Sequence, residues 1–355
     1  MKRILLVGAG HAHLAVLRSL KEAPLYGASI GLVSPWAKQL YAGMLPGVIA
    51  GHYRVSDAQI DVAALAEKAF VEFSQTELVS LDADRRVAKL ANGEEIEYDY
   101  ASLNAGSLVD TSLPGAKFAL PVKPFDRFMQ NFGNAKRVAV VGAGAAGAEL
   151  AMALRHAGAQ VTLYSEKSTF SSEVATRLLR SLRRCRVDFR PGMPVTAIER
   201  GPVVITGPSR QEFDRVLLAT GATAMPWLRK SGLATDDQGY ALVHPTLQSV
   251  SHPEVFAVGD CATLSDSPHP RSGVYALRHG ELLAQSLRNL VEAKPLPVYT
   301  PQPRALSLLT CGRRYAIAEW GRWTAEGRWA WWWKNRIDRR WMYDLRPDTK
   351  RKSRT

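Results

Sequence analysis

Two glycine-rich loops and one aspartate are the groups in this 355-residue chain whose type and spacing suit chemistry on a nucleotide. The run Gly142-Ala143-Gly144-Ala145-Ala146-Gly147 follows an apolar stretch and opens an alanine-rich one. In that setting the first glycine permits a tight turn, the second lets a pyrophosphate approach the backbone, and the third packs helix on strand. Unpaired N–H groups and the helix dipole then face the anion. Gly8-Ala9-Gly10-His11-Ala12-His13 repeats the pattern incompletely, with His13 at the third glycine. That loop must therefore be wider, or the histidine must point elsewhere; an ordinary strand, turn and helix is the less favoured alternative. Val255 to Val258 leads into Gly259-Asp260-Cys261-Ala262. An aspartate so delivered can accept hydrogen bonds from sugar-like hydroxyls, or it can simply cap nearby N–H groups of its own turn.

The elements that must position these groups are legible as period and punctuation. Lys2 to Val7 reads as a buried strand and His13 to Leu20 as a helix with Leu14, Leu17 and Leu20 on one face. Ser29 to Ser34 supplies a second strand and Asp61 to Phe70 a helix. Short strands follow at Glu77 to Asp82, Arg86 to Leu90 and Glu95 to Tyr98. The cycle restarts at Arg137 with strand Val138 to Val141, helix Ala146 to Ala157 and strand Gln160 to Tyr164. Strand-rich stretches close the halves at Tyr98 to Ser107 and Phe213 to Gly221. One βαβ opening used twice predicts an α/β chain with two Rossmann-like dinucleotide-binding domains. The second loop's ribose-binding position falls at Ser165 or Glu166, where a carboxylate accepts bonds from the 2'- and 3'-hydroxyls. This favours NADH, and the neighbouring Lys167 leaves NADPH open. The first loop has Ser34 where such a carboxylate would stand.

Composition narrows the classes. Hydrophobic content of 46% suits a globular chain with large cores, and Cys185, Cys261 and Cys311 are too few for a disulfide framework. A reducing, cytoplasmic setting follows, and no stretch reads as a signal peptide or a membrane span. The net charge is +13. Gly312 to Thr355 holds thirteen Lys/Arg against five Asp/Glu, so much of the excess lies there.

Taken in order, the Gly8 loop, Asn104-Ala105-Gly106-Ser107, the Gly142 loop, Ala219-Thr220-Gly221 and Gly259-Asp260-Cys261-Ala262 resemble the FAD-dependent pyridine nucleotide-disulfide oxidoreductase superfamily. The similarity is to its branch of type II NADH dehydrogenases and sulfide:quinone reductases. Tyr41-Ala42-Gly43-Met44-Leu45-Pro46-Gly47, Ala50-Gly51-His52-Tyr53 and Val122 to Phe128 resemble, more narrowly, NADH dehydrogenase-like flavoproteins found alone or fused to selenide, water dikinase. The resemblance implies an FAD domain from 1–120 and 236–292, an inserted NAD(P)H domain at 121–235, and a C-terminal segment at 293–355. It places Gly8, Gly10, His11, Ala105 and Gly106 at FAD, Asp260 on its ribityl-phosphate arm, and Met44, Leu45 and Pro46 against the isoalloxazine. Gly142, Gly144, Gly147, Glu166 and Gly221 fall to NAD(P)H. It implies an NAD(P)H dehydrogenase passing electrons through FAD to a quinone or another small acceptor; hydride transfer between cofactors needs no protein nucleophile. Two alternatives stay open: a sulfide:quinone reductase-like enzyme, and a redox-responsive flavoprotein that acts mainly by binding partners.

Three features bear on the acceptor. The arginines flanking Cys185 make an electropositive setting that can lower a thiol pKa, yet Cys185 and Cys311 read more simply as unrelated thiols than as a long-range redox pair, and Cys261 as packing. The helix after Asp260 carries Val274, Arg278 and His279 where quinone-reducing relatives carry glutamines; Arg278 or His279 can stabilise negative charge or lie on a solvated face. Seven of the nine tryptophans fall between Trp320 and Trp341 among Arg and Lys. The expectation is a hairpin, Arg314 to Trp320 turning at Glu326-Gly327 into Arg328 to Trp333, packed on the FAD domain or a partner subunit such as a second copy. Peripheral contact with the inner face of an anionic membrane is the other reading, and nucleic acid is the least favoured. The basic run Lys350 to Arg354 reads as solvated.

Overall fold

The computed structural model describes residues 1–169 and 172–349, so the basic run Lys350 to Arg354 lies outside the described residues. Five parallel strands form the first sheet, in the order Val255–Ala257, Tyr100–Leu103, Lys2–Val7, Ala28–Val33, Glu72–Ser74. Its middle strand is buried from Ile4 to Val7 because helices cover both faces of such a sheet. The second sheet has the same plan: Leu120–Pro121, Arg215–Leu218, Arg137–Val141, Gln160–Ser165, Asp188–Pro191, all parallel. The chain is thus α/β with two dinucleotide-binding sheets, and strand Val255–Ala257 returns it to the first sheet after the second is complete.

The helix expected from His13 begins two residues earlier, at His11, and runs to Glu22. It packs along the Gly273–Val291 helix, where Gly280 permits close approach: a Cβ there would lie 2.3 Å from the Ala12 carbonyl oxygen. Helix Ala145–His156 plays the same part on the second sheet.

The C-terminal segment departs from expectation. Strands Leu306–Thr310, Ala316–Trp320 and Trp323–Gly327 form an antiparallel sheet whose turn lies at Gly321-Arg322, not at Glu326-Gly327. Arg328 to Trp333, expected as a strand, opens the helix Arg328–Asp344. Tryptophan favours strands locally, but burial of Ala330, Trp331, Asp338, Trp341 and Leu345 follows a helical period that the short window concealed. Among the described residues no helix is long and apolar enough to cross a membrane.

Candidate functional site

The two loops reach one geometry by different chemistry. Gly142 has φ +108°, and a Cβ on it would lie 2.4 Å from the Ala219 carbonyl oxygen, so only glycine fits. Gly147 is equally fixed, since its Cβ would fall 1.9 Å from the Gly142 carbonyl oxygen. No side chain caps the Ala145–His156 helix, and Gly144, Ala145 and Ala146 are exposed. Its first-turn N–H groups therefore face open space, as an anion site requires. Gly221 is exposed on the neighbouring strand end, and Glu166 follows strand Gln160–Ser165 with its carboxylate in solvent.

At the first loop Gly8 (φ +85°) stands with its missing Cβ 2.6 Å from the Asn104 carbonyl oxygen, and Gly10 is 2.4 Å from the Asn104 side-chain oxygen by the same measure. His13 does point elsewhere, as one sequence expectation had it. It is fully buried, with Nδ1 2.6 Å from the Gly8 carbonyl oxygen and Nε2 2.8 Å from the Ser102 hydroxyl. A carbonyl only accepts, so Nδ1 carries the proton and Ser102 donates to Nε2. Burial holds the His13 pKa down to about 4, so the ring stays neutral. Asn104 Oδ1 accepts from the N–H groups of Ala12 and His13, both at 3.1 Å, while its amide donates to the Val258 carbonyl at 2.9 Å. Asn104 thus ties the helix start to the turn bearing Asp260. Gln39 braces the loop from outside by donating to the Ala9 carbonyl.

Asp260 sits at this junction. Its carboxylate receives Lys123 Nζ at 3.3 Å and the Ser107 hydroxyl at 3.5 Å. Partly buried His11 lies under the opposing fields of Asp260 and Lys123, with burial lowering its pKa, and its ring centroid is 5.4 Å from that of Tyr41. Ala105 and Gly106 border the same loop, and Gly106 has open space where a side chain would be. The structure therefore brings together Gly8, Gly10, His11, Ala105, Gly106 and Asp260.

The Met44 segment is placed differently. Met44 is 1% exposed, in a core with Tyr53, Ala316, Ala318 and Trp331, while Leu45 packs into the core of the second sheet. Only Pro46 of the three is partly open. Sequence reasoning missed the C-terminal groups behind this segment. Lys334 donates to the Gly43 carbonyl and to Asp338, both at 2.6 Å, and Tyr41 donates to the other Asp338 oxygen at 3.3 Å. Lys334 and Asp338 are 12% and 6% exposed, a buried pair that is costly to leave half-broken. Glu149, on the glycine-loop helix, accepts from the Thr310 N–H and hydroxyl at 2.7 and 2.8 Å; burial raises its pKa against the pull of Lys334. The i, i+4 spacing of Lys334 and Asp338 was the only available sign of this cluster.

The remaining candidates resolve by burial. Arg278 is on the solvated face, paired with Glu281 at 3.1 Å, whereas His279 is 1% exposed and held neutral at a pKa of about 3. Cys185 and Cys311 are neighbours: the Cys185 thiol donates to the Cys311 carbonyl at 3.5 Å. The expected lowering of the Cys185 pKa is reversed, because burial raises it more than Arg313, Arg184 and Arg155 lower it. Burial likewise pushes Cys311 up to about 12, which counts against a thiolate role for either. Cys261 is packing, fully buried.

The donor set fits FAD at the first loop, where two glycines keep side chains off the turn and an aspartate fit for hydroxyl groups stands beside a helix start whose Ala12 and His13 N–H groups Asn104 already takes. The profile of the pyridine nucleotide-disulphide oxidoreductase family matches residues 2–280. The chain is similar to ferroptosis suppressor protein 1 of Taeniopygia guttata, 25% identical over 310 residues that cover 76% of this chain and 79% of that one. It is also similar to the NADH dehydrogenase-like protein YutJ of Bacillus subtilis (strain 168), 26% identical over 324 residues, covering 85% and 87%. Among solved structures, the sulfide:quinone oxidoreductase of Aquifex aeolicus superposes with a TM-score of 0.78 at 16% identity, over 97% of this chain and 91% of that one.

Proposed function

Since the chain belongs to the pyridine nucleotide-disulphide oxidoreductase family and is an NAD(P)H-dependent flavoenzyme, we propose that it carries electrons from NADH to a quinone-type acceptor taken from a membrane surface. In this reading residues 1–120 and 236–292 hold FAD, 121–235 hold NADH, and 293–355 meet the membrane.

The observation that carries the proposal is the two-sided helix Arg328–Asp344. Its inner side holds Tyr41 and Gly43 through Asp338 and Lys334, beside the first loop. Its outer side presents Trp329, Trp332, Trp333, Ile337 and Tyr343 among Arg328, Arg336, Arg339 and Arg340. Trp320 and Trp323 of the adjoining hairpin extend that face, and the five exposed tryptophans range from 42% (Trp333) to 54% (Trp320) exposed. Exposed indoles among arginines suit the headgroup layer of an anionic bilayer, where a helix of this kind lies in the plane of the surface. An acceptor dissolved in that bilayer is thereby held beside the helix that braces the Tyr41 segment.

FAD bound at the first loop supplies the two-electron relay between nicotinamide and acceptor. The protein's own work is positional. Asp260 accepts from ribityl hydroxyls with Lys123 balancing its charge, and the amides of Gly144 to Ala146 take the nicotinamide cofactor's pyrophosphate. Glu166 accepts from the adenosine ribose hydroxyls and, by its charge, disfavours a 2'-phosphate. Lys334 and Asp338 hold the Tyr41–Gly43 backbone in place.

Anaerobic mixing with NADH and with NADPH, followed by a soluble quinone, tests the proposal. The visible flavin band bleaches faster with NADH and returns within the turnover time on adding quinone. A reduced flavin that quinone leaves bleached would refute the acceptor class.

A further inference from the structure

Behind the Gly259-Asp260 turn two imidazoles form an ordered pair. His279, on the helix Gly273–Val291, accepts the Gly259 N–H on Nδ1 at 3.1 Å. A nitrogen that accepts a backbone N–H carries no proton, so the His279 proton is on Nε2. That nitrogen lies 3.1 Å from Nε2 of His269, so His279 donates and His269 accepts. The His269 proton is then on Nδ1, 3.0 Å from the Pro270 carbonyl oxygen, which can only accept. The contacts at both ends of the pair require the same two tautomers.

The rings have little freedom to depart from this arrangement. Tyr275 stacks on His269 with centroids 4.2 Å apart, and Tyr299 meets His279 edge-on at 4.6 Å. These two phenols face the pair from the helix and from the 294–303 stretch. Arg278 acts on Tyr299 from the solvent side, and Asp260 lies across the turn. Burial keeps His279 itself uncharged, whereas His269 is only partly buried.

We infer that His279 is a positioning residue for the flavin site, holding the Gly259-Asp260 turn through a tautomer that His269 dictates. A proton arriving from solvent on His269 Nε2 leaves that ring with two N–H groups, one of them aimed at the N–H of His279. The arrangement that avoids this clash moves the His279 proton from Nε2 to Nδ1, where it meets the Gly259 N–H head-on. Proton uptake at the surface thus removes the partner of a buried backbone amide while His279 stays neutral. Gly259 has φ +69° and its missing Cβ lies 2.6 Å from the Asn104 amide nitrogen, so loosening this turn disturbs both Asp260 and the Asn104 tie to the first loop.

This rests on the placement of Asp260 at FAD proposed above, and the test separates the two. Imidazole nitrogen NMR of the flavin-loaded protein reads the tautomers while flavin fluorescence reads FAD release, both followed from mildly alkaline to mildly acid pH. The expected result is an Nε2–H tautomer of His279 at alkaline pH that converts to Nδ1–H at acid pH. FAD release accelerates about five- to tenfold over the same range, the worth of one hydrogen bond of ordinary strength. His269→Gln supplies a carbonyl that accepts from His279 and does not titrate, so release becomes slow at every pH. His279→Leu releases FAD fast at every pH, and His279→Asn, which keeps an acceptor for Gly259, restores slow release. An Nδ1–H tautomer of His279 at alkaline pH, or an undiminished pH dependence in His269→Gln, overturns the inference. If the tautomer converts but FAD release stays flat, the coupling fails. Should Asp260→Ala also leave release unchanged, it is the placement of Asp260 at FAD that has failed.

Discussion

Replacing His13 by the glycine that the dinucleotide fingerprint asks for is expected to damage the protein. His13→Gly deletes the bonds to the Gly8 carbonyl at 2.6 Å and the Ser102 hydroxyl at 2.8 Å, leaving both buried partners unsatisfied. Each orphaned group costs about 1–3 kcal/mol. The emptied ring volume adds about 2 kcal/mol by comparison with large-to-small core changes, and glycine within a helix adds about 1 kcal/mol. The total, about 5–9 kcal/mol, is comparable to the 5–15 kcal/mol by which domains of ordinary size are stable, roughly speaking. A second signature is independent of that sum. Native His13 titrates near 4 against 6.5 when unfolded, so its contribution is fully present above 6.5 and is lost as pH falls toward 4. The slope is about 1.4 kcal/mol per pH unit, about 3 kcal/mol in all. Urea unfolding of the FAD-free protein, followed by tryptophan fluorescence over that pH range, measures both. His13→Gln guards against outright unfolding of the glycine variant: it keeps a donor and an acceptor, costs about 1–2 kcal/mol by the same reasoning, and removes the pH slope. His279, buried and neutral in every variant, cancels from the difference. A glycine variant within about 1 kcal/mol of the parent, or an unchanged slope in either variant, would show that His13 does not replace the third glycine as described.

Three further outcomes follow from the geometry. Gly147→Ala puts a Cβ 1.9 Å from the Gly142 carbonyl oxygen, so flavin reduction by NADH should fall at least about a hundredfold while FAD content stays at parent level; loss of FAD instead would place that loop at the wrong cofactor. Glu166→Arg should lower kcat/KM for NADH and raise it for NADPH by about tenfold each, since one charge is removed from the ribose and another gained for a 2'-phosphate; unchanged ratios would remove Glu166 from the site. Replacing Trp329 and Trp333 by serine should weaken sedimentation with vesicles containing phosphatidylserine by about tenfold or more and leave reduction by NADH untouched; equal binding to purely zwitterionic vesicles would argue against the arginines' part.

What could be read in the sequence divides along local and non-local lines. Strand Lys2–Val7, helix Ala145–His156 and both glycine turns follow from period and from conformations only glycine adopts, which neighbouring residues determine. The cluster of Lys334, Asp338, Tyr41 and Gly43 joins residues nearly three hundred positions apart, and no periodicity reports such a meeting. Cys185 shows the reverse error. Its flanking arginines are adjacent in sequence, but burial outweighs them and the thiol pKa rises. The tryptophan run reads as a strand because its helical period becomes visible only when carried past Trp333 to Asp338 and Trp341.

The incomplete first loop shows why a three-glycine pattern understates its own physical requirement. The second loop meets that requirement by subtraction: Gly147 has no side chain, the Gly142 carbonyl lies against its Cα, and Ala219 is small enough to allow it. In the first loop His13 stands for Gly147 and Asn104 for Ala219, and the two larger residues fill the wider gap with hydrogen bonds. His13 satisfies the Gly8 carbonyl, and Asn104 satisfies two N–H groups of the helix start. The cost falls on anion binding, because the N–H groups of Ala12 and His13 are no longer available to a phosphate. The two loops are therefore unequal as phosphate sites. A first loop that offers fewer amides must lean on groups outside itself, and the tie that Asn104 makes to the Val258–Asp260 turn puts such groups, Asp260 and Lys123, beside it.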